Sequence, residues 1–422
     1  MKRRLLLQLA LTGALAATGR GRRLIAAEAA VEAAAETAGA EGATAPANAW
    51  PMFRGCLAGT GRSAATLALP LRQRWQRTLE KTAFEATPII SEGTIYLGDL
   101  DGTFHALALE SGETRWSFKG DAPFTSAAVV STAPGQQLVV VGDVAGMVRA
   151  FDRTSGAVVW TYETTGEISG GPTLLERPEG LCVLVGSQDA SLSALNFSDG
   201  TLLWKHSIAD QIRCSPTVAR GKVLLAGCDG KLHILNAASG ESVAAVAIDG
   251  PTGTTPAALG SKVCFGSEGG VFWGIDVETA QVAWQVAPAA AGKAYRSSAA
   301  IGGDLAIVGS RGRAVEAFQL SDGARKWRQP MRGRVDASPV IVGRAGDAGV
   351  AGAAGKAGEA SEAGGLLAIV GDSAGRLVAL DVASGEPQWE FDAGSGFASS
   401  PAVADGCVIC ASEDGTVWCF GG

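Results

Sequence analysis

Histidine is nearly missing from this sequence, with 3 in 422 residues. Zinc sites and Ser-His-Asp triads therefore have little material to draw on. Aromatics are scarce at 6%, and tyrosine is reduced to 3. The body of the chain has no basic run, and 35 Lys and Arg are outweighed by 42 Asp and Glu, for a net charge of −7. That balance argues against nucleic acid as a partner. There are 8 cysteines but no adjacent pair, and neither a phosphate-binding loop nor a zinc signature is present. Long apolar runs are absent but for Leu5–Ala17, which is short for a membrane span.

What is plentiful is glycine, at 58 residues, in a chain that is 47% hydrophobic. The start reads as targeting rather than structure. Lys2, Arg3 and Arg4 precede the apolar run, and Ala14-Leu15-Ala16 or a site near Ala27 offers cleavage. Residues 1–27 are expected to be an export signal of Sec or twin-arginine type. No cysteine closely follows the run, so a lipid anchor is not expected. Residues 28–49 are mostly Ala, Glu, Gly and Thr and read as a disordered stalk. A second low-complexity stretch, 344–365, reads as a loop insertion. The mature chain is expected in the periplasm or at the cell surface, without a transmembrane segment.

Between these segments one sentence is written repeatedly. Ala150 to Trp160 reads AFDRTSGAVVW, and Ala379 to Trp389 reads ALDVASGEPQW. Each copy follows two apolar runs joined by a turn such as Asp414-Gly415, which is a hairpin signal. The repeated tryptophans are Trp116, Trp160, Trp204, Trp284, Trp327 and Trp389, with Ala244 in the fourth copy. Four short strands per copy, at a spacing of roughly 40–44 residues, predict a β-propeller. The last copy lacks its tryptophan strand, and Trp75 sits in a strand with no partners before it. The expected fold is therefore all-β, with eight four-stranded blades and an N-terminal strand that completes the last one. The propeller is expected over residues 50–422. A large aromatic at one position per blade reads as packing between blades.

These copies resemble the tryptophan-docking motif of propellers related to pyrroloquinoline quinone (PQQ) enzymes. The lead-in Trp50-Pro51-Met52-Phe53-Arg54-Gly55, followed by Thr60-Gly61, resembles secreted bacterial members of that family. The resemblance implies one of two roles. Quinoprotein dehydrogenases hold PQQ and calcium in the funnel, commonly over a vicinal Cys-Cys ring. A non-catalytic branch, of the outer-membrane protein assembly factor type, binds proteins. Blade count, size and the lack of Cys-Cys favour the second, so neither cofactor nor metal is expected.

Three groups of residues carry candidate chemistry. If Asp414-Gly415 is a two-residue turn, Cys410 faces Cys419, and the pair is either a cross-strand disulfide or two buried small hydrophobes. His105 and His233 share one position in their copies and read as surface or inter-blade polar groups. The third group precedes the innermost strands. Ser-Pro-like pairs mark those strands, and three residues ahead of the proline position lie Glu85, Phe124, Ser169, Arg213, Gly253, Arg296, Asp336 and Ala398. These should face the funnel mouth. Arg213 and Arg296 would then oppose Glu85 and Asp336, giving either a site for a zwitterionic or anionic group or a solvated channel of offsetting charges. The expected function is an exported, non-catalytic binding or scaffold protein with a protein or peptide partner, monomeric or within a hetero-complex. A PQQ- and calcium-dependent dehydrogenase and a small-ligand sensor are the alternatives.

Overall fold

The protein was analysed as a computed structural model that describes residues 44–79, 81–133, 135–287, 294–345 and 365–422. The expected export signal, residues 28–43 of the stalk and residues 346–364 of the insertion lie outside the described residues. The regular elements among the described residues are all strands, 33 of them, in eight sheets. No helix among the described residues is long and apolar enough to cross a membrane.

Each blade is built on four antiparallel strands, as in blade three: Thr173–Arg177, Gly180–Ser187, Ser191–Asn196 and Leu202–Ser207. The two middle strands are apolar on both faces because each blade is packed between two neighbours, and they are almost continuously buried. The outer strand alternates and ends the blade in solvent. In the last blade, the N-terminal strand Arg72–Thr78 pairs with Thr416–Gly421 and supplies the fourth strand. The ring is thus closed by strand pairing between the two ends of the chain, and no sheet edge faces a gap.

The repeated sentence bridges blades. Asp152 Oδ1 accepts hydrogen bonds from the N–H groups of Thr154 and Ser155 and from the Ser155 hydroxyl, which fixes the turn. Gly156 then adopts φ +71° against the indole of Trp116 from the preceding blade, where a Cβ would lie 2.6 Å from the ring. The indole N–H of Trp116 donates to the Arg153 carbonyl at 2.9 Å. Trp75, Trp160, Trp284 and Trp327 make the same reach, to the carbonyls of Leu109, Phe197, Leu320 and Val382. Trp204 lies against Gly240 but its buried N–H has no partner. Trp389 faces the seam where the chain ends meet and packs edge-on against Phe420 at 5.4 Å.

Two expectations change here. The stalk was placed through residue 49, yet residues 44–49 belong to the propeller. Ala45 N donates to the Arg62 carbonyl at 2.7 Å, and Ala49 is buried. The reason is tertiary: Pro46, Ala47 and Asn48 stay exposed, but the segment is tied to the ring at both Ala45 and Ala47, whose carbonyl accepts from Asp405 N at 2.9 Å. The second change is an additional strand, Arg62–Leu67, that runs parallel to Val340–Arg344 and makes blade seven five-stranded.

Candidate binding site in the central channel

The innermost strands of a propeller leave their inward edges unpaired, and buried backbone groups there need partners. Residues 50–61 supply them. Trp50 and Ile90 exchange both backbone hydrogen bonds, at 2.7 and 2.9 Å. The N–H groups of Val130, Val218, Ala258, Ile301 and Ile341 then donate in turn to the carbonyls of Pro51, Leu57, Ala58, Thr60 and Gly61, each at 2.8 Å. The lead-in segment therefore runs round the channel wall and touches the inner strands of six blades. At its centre Arg54 is buried, and its Nη2 donates to the carbonyls of Ala299 and Pro339 at 3.0 and 2.7 Å. Burial pulls this guanidinium down to about 9, against the opposing influence of Cys56 and Cys264. Gly61 is required beside it, because a Cβ there would fall 1.9 Å from Arg54 Nη2.

Above this segment is a cavity of about 150 Å³ with Phe53 in its lining. Two rings of side chains line its wall. The deeper ring is a belt of hydroxyls. The N–H of Ser215 donates to Thr255 Oγ1, that of Thr255 to Ser298 Oγ, that of Ser298 to Ser338 Oγ, and that of Ser338 to Ser400 Oγ, at 2.8 to 3.0 Å. The N–H of Ser400 continues the belt to Thr87 Oγ1 at 3.4 Å. Blades two and three have Ala127 and Gly171 at these positions, and a Cβ on Gly171 would lie 3.3 Å from the Cβ of Phe53. The belt is interrupted where the Phe53 side chain lies.

The upper ring brings Glu85, Arg213, Arg296 and Asp336 onto one cavity. Their charges are not equally available. Arg311 grips Asp336 bidentately, Nε to Oδ1 and Nη2 to Oδ2, both at 2.9 Å. Those bonds also push the Arg311 pKa upward. Arg213 leans on Gln211 Oε1 at 2.7 Å, with Glu268 further off at 3.7 Å. Glu85 and Arg296 are exposed and make no hydrogen bond or ion pair among the described residues. The expected opposition of two cations and two anions is corrected on the anionic side, since Arg311 occupies Asp336. Phe124 is also corrected. It lies in the core at 0% exposure, and Thr125 takes its place at the wall, with a buried hydroxyl that has no partner. Blade two has no proline to mark its register, which shifted the reading by one residue.

The pairing of Cys410 with Cys419 is not formed. Ser412 bonds across to Thr416, so the turn holds three residues rather than two, and every later pair slips by one. Cys410 faces Trp418 and Ile409 faces Cys419. All eight cysteines are free thiols. His105 and His233 are buried rather than on the surface. Each binds the aspartate of its own hairpin turn, Asp99 at 2.9 Å and Asp229 at 3.0 Å. Trp418 uses the same position to donate to Ser412 Oγ at 3.3 Å. Arg149 does the same with Asp143 in blade two, whereas Ser193 and Glu316 at this position bond to Tyr162 and Tyr295. His206, without a visible partner in the sequence, packs edge-on to His233 at 6.3 Å.

The sequence contained signals for two features that its reading missed. The Ser and Thr of the Ser-Pro-like pairs are the hydroxyl belt, and Trp50 to Gly61 is the channel segment. Arg311 carried no signal, because it comes from a hairpin turn far from the wall in sequence.

Comparison with known proteins agrees with this architecture. No curated protein sequence matches significantly. Among solved structures, BamB from Moraxella catarrhalis is 17% identical and aligns over 83% of this chain and 98% of its own, with a TM-score of 0.62. The computationally designed Ika8 protein is 16% identical, over 82% of this chain and 98% of its own, at 0.64. Quinohemoprotein alcohol dehydrogenase from Comamonas testosteroni is 14% identical, over 94% of this chain and 84% of its own, at 0.68. At such identities the likeness establishes the fold. The family model for the outer membrane protein assembly factor BamB matches residues 58–176, 188–347 and 315–421, which is most of the propeller. The chain belongs to the PQQ-like propeller family of the assembly factor BamB.

Proposed function

We propose that this protein is an exported, non-catalytic binding module of the cell envelope, which holds a protein or peptide partner at the open mouth of its ring, in the service of outer-membrane protein assembly. The observation that carries this reading is the occupied channel. The wall hydroxyls already accept hydrogen bonds from neighbouring blades, and the chain's own residues 50–61 line the interior. What remains available is the mouth, where Arg296 and Glu85 have no partner among the described residues.

The donor set supports the same reading. Calcium takes about six to eight oxygen ligands, carboxylates prominent among them. Here Glu85 stands alone and Asp336 is held by Arg311, and among the described residues no three His, Cys, Asp or Glu gather. Phe53 is the only aromatic in the lining. These residues do not fit a calcium-bound quinone. A rigid ring of loops suits recognition instead.

The test places a photo-cross-linking residue at Gln211, on the mouth, in the native envelope. A discrete protein adduct is expected, reduced about tenfold when Arg213→Glu and Arg296→Glu are combined, since a loss of about 1.4 kcal/mol is tenfold in affinity. Absence of an adduct, or one indifferent to charge reversal, would contradict the proposal.

A further inference from the structure

The last blade, where the chain's two ends meet, carries chemistry that the mouth does not use. Its middle strand Cys407–Ala411 pairs with Thr416–Gly421 so that Cys407 lies opposite Gly421. Cys419, two residues before Gly421, is on the same face, diagonal to Cys407. Gly421 has no side chain, and the space is filled from the other side. Arg74 sits at a bulge in the closing N-terminal strand, and a Cβ on Gly421 would lie 2.0 Å from its Nε. From that slot Arg74 Nη1 donates to Cys407 Sγ at 3.0 Å. The Cys419 thiol donates to the Phe420 carbonyl at 4.0 Å and lies within electrostatic range of Cys407. Cys407 is 5% exposed and Cys419 is fully buried.

We propose that Cys407 and Cys419 form a redox-active dithiol, with Cys407 as the attacking sulfur, Cys419 as the resolving one and Arg74 holding the attacking thiolate. A guanidinium that donates to a sulfur favours its anion. In agreement, the neighbouring Cys419 thiol and the charge of Arg74 outweigh burial and lower the Cys407 pKa. Burial pushes Cys214 and Cys264 up to about 12, and Cys410 upward as well. Among these thiols, Cys407 is the one whose anion its surroundings favour.

The reaction balances with an external organic disulfide as oxidant. The Cys407 thiolate attacks one sulfur of that disulfide, forming a mixed disulfide and releasing one thiolate. Cys419 gives up its proton, and its sulfur attacks Cys407 and releases the second thiolate. Two protein thiols are oxidised, the external disulfide is reduced to two thiols, and the protons end on those products. The product is a Cys407–Cys419 bridge inside the C-terminal hairpin. Arg74 loses its anionic partner, so the state of the pair is felt by the strand that closes the ring.

Full-length protein treated with iodoacetamide under native conditions at pH 7, then mapped by mass spectrometry, should show Cys407 labelled about tenfold faster than Cys410. The labelling rate should reach its plateau at a lower pH than an ordinary thiol requires and fall severalfold in Arg74→Gln, a surface change that leaves the core intact. Treatment with glutathione disulfide, followed by unfolding and then alkylation, should remove Cys407 and Cys419 from labelling together, and dithiothreitol should restore both. In Cys419→Ser, the mixed disulfide on Cys407 should persist. If Cys407 labels no faster than Cys410 in the folded protein, or if glutathione disulfide blocks Cys407 while Cys419 stays alkylatable in the unaltered chain, the dithiol does not exist.

Discussion

The seams between blades are not all built alike. Between blades one and two, Trp116 fills the space against Gly156 and bonds the Arg153 carbonyl. Between blades four and five, the tryptophan is Ala244 and the glycine is Ala280, which sits at φ +53°. Both alanines border the same apolar cluster, which is filled by Val223, Leu235 and Val263 instead. The two losses explain one another. Glycine is demanded by the indole of the preceding blade, and where the indole is gone a Cβ is admitted. The motif is thus a contract between consecutive copies, with the tryptophan of one matched to the glycine of the next.

The most forceful way to break the comparison is to remove the indole where it is used. Trp116→Ala should lower the stability of the ring by about 4 kcal/mol, through the lost buried area and the carbonyl left without its donor. Because the ring is multi-bladed, differential scanning calorimetry should be read beside denaturant unfolding, and both should report the loss. A change below about 1 kcal/mol would mean that the seams are held by the apolar strand faces alone.

A finer contrast separates the glycines. Gly156→Ala must place its Cβ into the Trp116 ring at positive φ and should cost about 2 kcal/mol. Ala280→Gly removes a positive-φ penalty at a seam with no indole and should change stability by about 0.5 kcal/mol or less, with the relief offset by greater unfolded-state freedom. In the same series, Ala244→Trp should be tolerated better beside Ala280→Gly than beside Ala280. A double-mutant cycle by chemical denaturation measures that coupling. Equal costs at the two seams, or no coupling, would remove the contract.

Much of this was legible in the sequence because the repeat averages over its copies. The Asp, Gly and Trp positions recur, so a single exception such as Ala244 does not hide the blade. The closing strand was legible for the same reason, from Trp75 without partners and a last copy without its tryptophan. What the sequence conveyed poorly was anything settled by one residue of register. Phe124 and Thr125 exchanged places for want of a proline, and a three-residue turn at 413–415 moved Cys419 away from Cys410. Long-range side-chain partners were not legible. Arg311 reaches Asp336 across 25 residues, and Arg54 reaches Ala299 across 245. No local pattern encodes either contact.

The central claim is that a ring related to quinone enzymes binds a partner at its mouth and does no quinone chemistry. Isothermal titration of the purified mature protein with PQQ and calcium, followed by absorbance, tests it most directly. The account predicts no saturable heat or spectral shift up to high micromolar PQQ. Saturable one-to-one binding, accompanied by alcohol-dependent reduction of an artificial electron acceptor, would contradict it.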